Sequence, residues 1–167
     1  MDQELAEFCR AEYRRLVGSL SLYCRDRYLA EELAQDALVR VVSNWSAVRQ
    51  LGSPSGWAHR VAFNLANSYL RRRLAERRAS RRLSARTAVH QPDPDTSTAV
   101  AVRAAVAALP RRQRAVIVLR YFADLSVREV SELLGCPEGT VKTLTARALT
   151  ALRTTDLAAL KEVTDAR

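Results

Sequence analysis

The spacing of the apolar residues is the feature that most constrains this chain, because they recur at helical intervals almost throughout the sequence. That spacing places apolar side chains on one face of an α-helix, whereas a half-buried strand needs strict alternation. No alternating β-branched run bounded by turn residues is present, and only 5 glycines and 5 prolines interrupt the pattern. The sequence therefore predicts an all-α protein.

Two breaks in the helical pattern divide the chain. Gly, Pro and Ser dominate residues 50–56, and residues 83–98 lose the periodicity and become rich in Ser, Thr, Pro and Asp. A chain of 167 residues is too short for a large catalytic barrel of about 250 residues and suits two modules. We predict two small helical domains, 1–82 and 99–155, joined by a flexible linker at 83–98 and followed by a tail at 156–167.

The periodicity also predicts the individual helices. In the first domain they cover roughly residues 3–25, 28–45 and 55–82. In the second they lie near residues 99–109, 111–123, 126–134 and 137–153, with a short tail helix beyond. Val42 is expected to face inward with the other apolar residues of the second helix, and Trp45 either closes the core or borders a nucleic-acid groove.

Positive charge is concentrated in one part of the chain. The net charge is +9 at pH 7, 25 of the 27 basic residues are Arg, and residues 51–90 hold 9 basic residues and 1 acidic residue. The planar guanidinium of Arg suits phosphates and base edges. A polyanion is therefore the first partner to expect.

The third predicted helix has one narrow polar stripe. Its apolar residues cover most of the helix surface, which leaves Arg60, Asn64, Asn67 and Arg71 in line. Amides and guanidiniums can hydrogen-bond to base edges and phosphates, and Arg72 and Arg73 extend the positive surface. The alternative is a merely solvated face, but such a face normally mixes charges of both signs.

The second domain contains the layout of a helix-turn-helix. Ser126 and Glu129 form a capping box, Gly135 ends that helix, and Pro137 begins the next. The outward side of the following helix carries cations, hydroxyls and Ala, which suit entry into a major groove. An ordinary helical hairpin is the alternative.

Several functions are not expected. The sequence shows no nucleophilic side chain matched with a general base, no phosphate-binding loop and no cluster of metal ligands. We therefore predict no catalytic residue, no cofactor and no metal site. Cys9, Cys24 and Cys136 are widely spaced and odd in number, which favours buried thiols. No stretch approaches the ~20 apolar residues of a membrane span, so we expect a cytoplasmic protein without a membrane partner.

Three segments together resemble the extracytoplasmic-function (ECF) sigma factors, the two-domain initiation subunits of bacterial RNA polymerase. Residues 30–41 (AEELAQDALVRV) resemble the part of family region 2 that docks on polymerase, and residues 57–73 (WAHRVAFNLANSYLRRR) the part that opens and reads the minus-ten element. Residues 108–114 (ALPRRQR) through 139–142 (GTVK) resemble region 4, whose helix-turn-helix reads the minus-thirty-five element. The order and spacing of the three segments make the match strong.

The resemblance implies a promoter-specificity subunit with no catalytic activity of its own. Its implied partners are promoter DNA and core polymerase, through the β′ clamp helices and the β flap, and an anti-sigma factor is left open as another. The residues implied to dock on core polymerase are Glu32, Gln35, Asp36 and Arg40.

The resemblance also implies which residues contact DNA. For the minus-ten element they are Arg60, Asn64, Asn67, Arg71, Arg72 and Arg73, together with the loop 48–56. For the minus-thirty-five element they are Thr140, Lys142, Thr143, Ala146, Arg147 and Thr150. The linker, slightly acidic through Asp93 and Asp95, would run along the polymerase channel in place of the family's third domain.

The chain departs from the family at one place. Residues 143–149 read TLTARAL where the family often has SRLHRAR, which removes two basic positions from the recognition helix. A one-component regulator that binds duplex operators without polymerase also stays open as an alternative function.

Overall fold

The computed structural model describes residues 3–79 and 97–165, with side chains for 3–78 and 100–154. Within these ranges the chain is helical and contains no strand, which confirms the all-α prediction. The helices divide into two units, α1–α4 (residues 3–79) and α5–α8 (residues 97–121 and 125–165). The predicted linker lies outside the described residues except for its last two, which begin α5. The predicted domain boundaries stay a prediction.

The first unit packs helix α1 (Gln3–Cys24) against both α2 (Arg27–Ser43) and α4 (Pro54–Ala79). Leu16, Leu20 and Phe63 have no exposed surface, and burying each such side chain is worth about 1.5–3 kcal/mol. Asp26 caps α2 by accepting a hydrogen bond from the backbone N–H of Leu29 at 3.1 Å. The unit is held together mainly by this apolar packing around α1.

The second predicted helix is interrupted near its end. Asn44 separates α2 from a single turn, α3 (Trp45–Val48), and its amide donates to the carbonyl of Arg40 at 2.8 Å. This polar side chain competes with the regular helical bonds and turns the chain, so Trp45 points into the core beside Phe8, with ring centroids 5.2 Å apart. Of the two roles left open for Trp45, the structure shows core closure.

Helix α4 begins at a cap that the sequence indicates. Ser53 accepts a hydrogen bond from the backbone N–H of Gly56 at 3.0 Å, and Pro54 occupies the first helical position. A Cβ on Gly56 would lie 2.8 Å from Ser53 Oγ, so any side chain there would require the capping hydroxyl to shift. The cap thus fixes the residue at which the loop ends and α4 begins.

In the second unit, helix α5 (Ser97–Ala108) packs against α6 (Arg111–Ile117) and α8 (Glu138–Asp165). The predicted helix 111–123 is α6 followed by a wider, π-helical turn, Val118–Phe122. The periodicity of apolar residues did not reveal the turn, because a single π turn shifts the helix face by only one residue.

A buried arginine joins α5 to α6. Arg114 is 8% exposed, and its Nη1 donates to the carbonyls of Ala107 and Leu109 at 3.2 and 3.3 Å. These carbonyls lie at the end of α5, where no further helical N–H can reach them. The guanidinium therefore stabilises the corner between the two helices.

The helix-turn-helix has the predicted caps. Helix α7 (Val127–Leu134) begins with the capping box, in which Glu129 N donates to Ser126 Oγ and Ser126 N to Glu129 Oε2, and ends at Gly135 with φ 63°. Helix α8 then continues to Asp165. The expected separate tail helix is therefore wrong, since no Gly or Pro interrupts α8 after Arg153.

Replacing Arg114 by Met should destabilise the second unit by about 1–3 kcal/mol, because Met retains most of the apolar stem but leaves the carbonyls of Ala107 and Leu109 without this donor. Urea unfolding of the full chain measures the change. Arg112→Ala, at an exposed position of the same helix, is the control and should change stability by less than about 0.5 kcal/mol. An Arg114→Met chain as stable as the wild type would show that the corner does not depend on the guanidinium.

Candidate nucleic-acid interface

The polar stripe of α4 faces away from the core along most of its length. Arg60, Asn64 and Arg71 are exposed, while Ala62 and Phe63 on the opposite side are fully buried. Asn67 differs from the expectation of an exposed residue, because it is half-buried and its Oδ1 accepts a hydrogen bond from the Tyr23 hydroxyl of α1. The stripe thus contains three outward side chains and one that is fixed by α1.

The basic run continues the stripe to the end of α4. Arg71 and Arg72 are exposed, Arg73 is half-buried, and Glu76 is the sole acidic residue of this helix. The run ends with Arg77 and Arg78 in the last turn of α4, where the backbone dipole favours cations. It leaves a positive surface able to bind phosphates.

The loop before α4 is fixed at its ends and exposed at its tip. Val48 is buried, and Arg49 Nη2 lies 2.9 Å from Glu4 Oε2 of α1. Leu51, Gly52 and Ser53 are exposed, and Leu51 is 44% accessible. The loop therefore presents a short exposed segment beside the first turn of α4.

A buried pair of titratable residues lies beneath this loop. Glu12 of α1 and His59 of α4 are 4% and 0% exposed, with Glu12 Oε2 3.6 Å from His59 Nδ1. Burial lowers the pKa of His59, while its bond to the Ser55 carbonyl and the Glu12 carboxylate act in the opposite direction. A neutral imidazole at pH 7 follows, with the Nδ1 proton directed at the Ser55 carbonyl, 3.0 Å away.

Helical periodicity alone does not identify the contact between Glu12 and His59. One feature of the sequence does indicate that Glu12 has a buried partner. Glu12 lies four residues from both Phe8 and Leu16, which places its carboxylate in the apolar stripe of α1. A carboxylate in such a stripe is uncommon without a partner.

Helix α2 presents a different outward face. The four residues predicted to dock on polymerase are all exposed: Glu32, Gln35, Asp36 and Arg40. Val39 and Val42 share this side and are 63% and 47% exposed, so the inward placement of Val42 was wrong. Val42 borders a groove of about 750 Å³ between α1 and α2, one residue beyond the buried Val41.

Most of the residues predicted to read the minus-thirty-five element lie on the exposed face of α8. Five of the six predicted residues are exposed: Lys142, Thr143, Ala146, Arg147 and Thr150. The sixth, Thr140, is half-buried. Val141 and Ala148 on the inner face are fully buried. The hydroxyls of Thr143 and Thr150 donate to the carbonyls of Gly139 and Ala146, one turn earlier, at 2.9 and 3.0 Å.

Other kinds of site have little support in the part of the chain that the structure describes. There, no three His, Cys, Asp or Glu side chains lie close enough together to hold a metal ion. The three cysteines are half-buried and form no disulfide with one another, and burial raises the pKa of Cys9. No described helix combines the length and apolar character needed to span a membrane.

Comparison with known proteins gives both halves of the chain a family. The family model "Sigma-70 region 2" matches residues 8–76, and "Sigma-70, region 4" matches residues 99–152. RNA polymerase sigma-E factor of Streptomyces coelicolor is 29% identical over 154 residues, covering 90% of this chain and 84% of the relative. ECF RNA polymerase sigma factor SigM of Mycobacterium tuberculosis is 32% identical over 139 residues, covering 83% and 70%.

A solved structure agrees with the fold. The sigma factor RpoE of Bartonella quintana, solved in complex with the anti-sigma factor NepR, has a TM-score of 0.66 and 23% identity to this chain. The match covers 92% of this chain and 94% of that one. Nothing in the comparisons favours a one-component regulator. With a region 2 match on the first unit, a region 4 match on the second, and relatives of that name along most of its length, the chain belongs to the ECF RNA polymerase sigma factors of the sigma-70 family.

Proposed function

We propose that this sigma factor directs transcription initiation through three separate surfaces, one for core polymerase and two for promoter DNA. The observation that supports this most is the distribution of acidic residues. Residues 54–75 of α4 and 139–154 of α8 contain no carboxylate, whereas the outward face of α2 carries Glu32 and Asp36. Surfaces without carboxylates suit a polyanion, and the mixed face of α2 suits a protein.

The outward face of α2 is the proposed docking surface for the β′ clamp helices of core polymerase. Its polar residues, Glu32, Gln35, Asp36 and Arg40, surround the exposed Val39. An apolar centre with a charged rim is the usual composition of a protein interface. The β flap is the proposed partner of the second unit.

The stripe of α4 and the loop 48–56 are the proposed binding surface for the displaced minus-ten strand. Asn64 is the candidate for contact with an unstacked base, because its amide is exposed and can both donate and accept. The arginines from 71 to 73 would contact the phosphates that follow. Asn67 would contribute from a fixed position beside Tyr23.

The outward face of α8 is the proposed reader of the minus-thirty-five element. Lys142 lies close to the helix N-terminus, and Arg147 lies more than one turn further along. Recognition helices contact base edges through side chains in this part of the helix. The remaining contacts would come from Thr140, Thr143, Ala146 and Thr150.

In this proposal the chain performs no catalysis, because polymerase carries out the chemistry of transcription, and it acts in the cytoplasm with its polymerase and DNA partners. The Bartonella quintana relative was solved bound to an anti-sigma factor. On that analogy, we propose an anti-sigma factor as a further partner.

Asn64→Ala should weaken promoter opening about fivefold, because one base contact of roughly 1 kcal/mol is lost, and should leave binding to core polymerase unchanged. Permanganate footprinting measures the opening, and a pull-down with core polymerase measures docking. Asp36→Ala is the matched variant, with the opposite result expected: weaker docking, and normal opening once polymerase is saturated. Normal opening by Asn64→Ala would remove this residue from the proposed strand site.

Lys142→Ala and Arg147→Ala should differ in kind. If Lys142 contacts phosphate, its loss weakens binding to all upstream elements alike and lowers the salt slope by roughly one unit. If Arg147 reads a base, its loss costs ~1–3 kcal/mol on the preferred sequence and relaxes the preference there. Transcription from a library of randomised upstream elements at two salt concentrations measures both effects.

Arg112→Ala serves as the control for these two variants, because it removes an exposed cation from α6 and should leave sequence preference unchanged. An unchanged preference in Arg147→Ala would place base reading elsewhere in the second unit.

A further inference from the structure

Glu12, Arg15, Ser55 and His59 form a ring of contacts between α1 and the start of α4. Arg15 Nη1 donates to Glu12 Oε1 at 2.9 Å and to Ser55 Oγ at 3.2 Å. His59 Nδ1 donates to the Ser55 carbonyl at 3.0 Å and lies 3.6 Å from Glu12 Oε2. Ser55 is thus held through its hydroxyl by Arg15 of α1 and through its backbone carbonyl by His59, one turn later in α4.

The ring is costly as a purely structural device. Glu12 and His59 are almost completely buried, yet Glu12 Oε2 and His59 Nε2 have no hydrogen-bond partner among the described residues. Buried polar groups without partners destabilise a fold, and apolar side chains of similar volume are often as stable or more so. These residues are therefore better explained by a need to position Ser55 than by a contribution to the stability of the fold.

The ring lies where position matters for the strand site. Ser55 is in the first turn of α4, two residues after the exposed loop tip and five before Arg60. The Arg49 and Glu4 ion pair fixes the other end of the loop, also to α1. Both ends of the strand-binding loop are consequently bonded to side chains of α1.

We propose that Glu12, Arg15 and His59 are positioning residues for the displaced promoter strand: they hold Ser55, and through it the loop 48–56 and the first turn of α4, in the binding geometry. This inference rests on the proposed function of that loop. Glu12 orients the guanidinium, Arg15 holds the Ser55 hydroxyl, and His59 holds the Ser55 carbonyl. None of the three needs to contact the strand.

A direct contact is the competing explanation for Arg15. Its side chain is 51% exposed, and one guanidinium nitrogen holds both ring partners. The two explanations predict different salt dependence. A phosphate contact contributes to the slope of affinity against salt, whereas a positioning role does not.

The test uses holoenzyme reconstituted with the full chain and a fluorescent single-stranded oligonucleotide. The oligonucleotide is copied from the minus-ten segment of a promoter that the wild-type holoenzyme selects from a randomised library. The variants are Arg15→Gln, Ser55→Ala, their combination and Ser55→Thr, with Arg14→Gln as the control for loss of an exposed cation from α1. Core binding and thermal unfolding are measured for each, so that unfolded variants are recognised.

We expect Arg15→Gln and Ser55→Ala each to weaken oligonucleotide binding about fivefold. The double variant should be no weaker than either single one, since both remove the same link. Ser55→Thr should retain wild-type affinity, and Arg14→Gln should not change it. The salt slope should stay the same in every variant, and core binding should be unchanged.

Three results would overturn the inference. Additive effects would mean that Arg15 and Ser55 act independently, and a salt slope lowered by about 0.7 in Arg15→Gln alone would make it a phosphate contact. Wild-type affinity in both single variants would also reject it. In that case Asn64→Ala separates the two claims: weaker binding there keeps the proposed strand site, and unchanged binding rejects that site as well.

Discussion

The first half of α4 is packed against α1 and α2, and this constraint decides where its polar side chains can go. Phe63, Ala62 and Ala66 are fully buried, so polar residues can occupy only a narrow strip of the helix surface. The stripe with Arg60 and Asn64 is that strip. The requirements of the core thus determine the direction in which the candidate strand site faces.

In the second unit, too, packing of one side of a helix determines which side is exposed. Val141 and Ala148 fix one side of α8 against α6 and α7, and the buried Arg114 holds the corner at which α6 begins. The outward face of α8 is then free to carry cations and hydroxyls. In each unit a rigid apolar contact orients a helix whose other side is available to a partner.

Much of this arrangement could be predicted from the sequence because its causes are local. The capping box at Ser126, the left-handed Gly135 and the outward direction of Asn64 each follow from residues within a turn or two of one another. The end of α2 was harder, since Asn44 breaks the helix without a Gly or Pro. Val42 was misplaced because it lies one residue beyond the buried Val41, on the outward side of α2 with Val39.

The ring around Ser55 could not be predicted in this way. Its partners Arg15 and Ser55 are 40 residues apart in the chain, and helical periodicity says nothing about which faces of two helices meet. Arg114 is a similar case, because a basic side chain predicts an exposed position. It is buried in the structure because it donates to two carbonyls at the end of α5. Long-range polar contacts depend on packing, which a periodicity does not specify.

The threonine hydroxyls of α8 have a consequence for the entropy of binding. Thr143 and Thr150 are already fixed in one rotamer by bonds to carbonyls of their own helix, and Ala146 between them has no rotamers to lose. Long cationic side chains, in contrast, each lose about 1.5–2 kcal/mol of conformational freedom when they are ordered. A DNA groove that meets Thr143, Ala146 and Thr150 therefore meets side chains whose positions are set before contact, and only the neighbouring cations remain to be ordered.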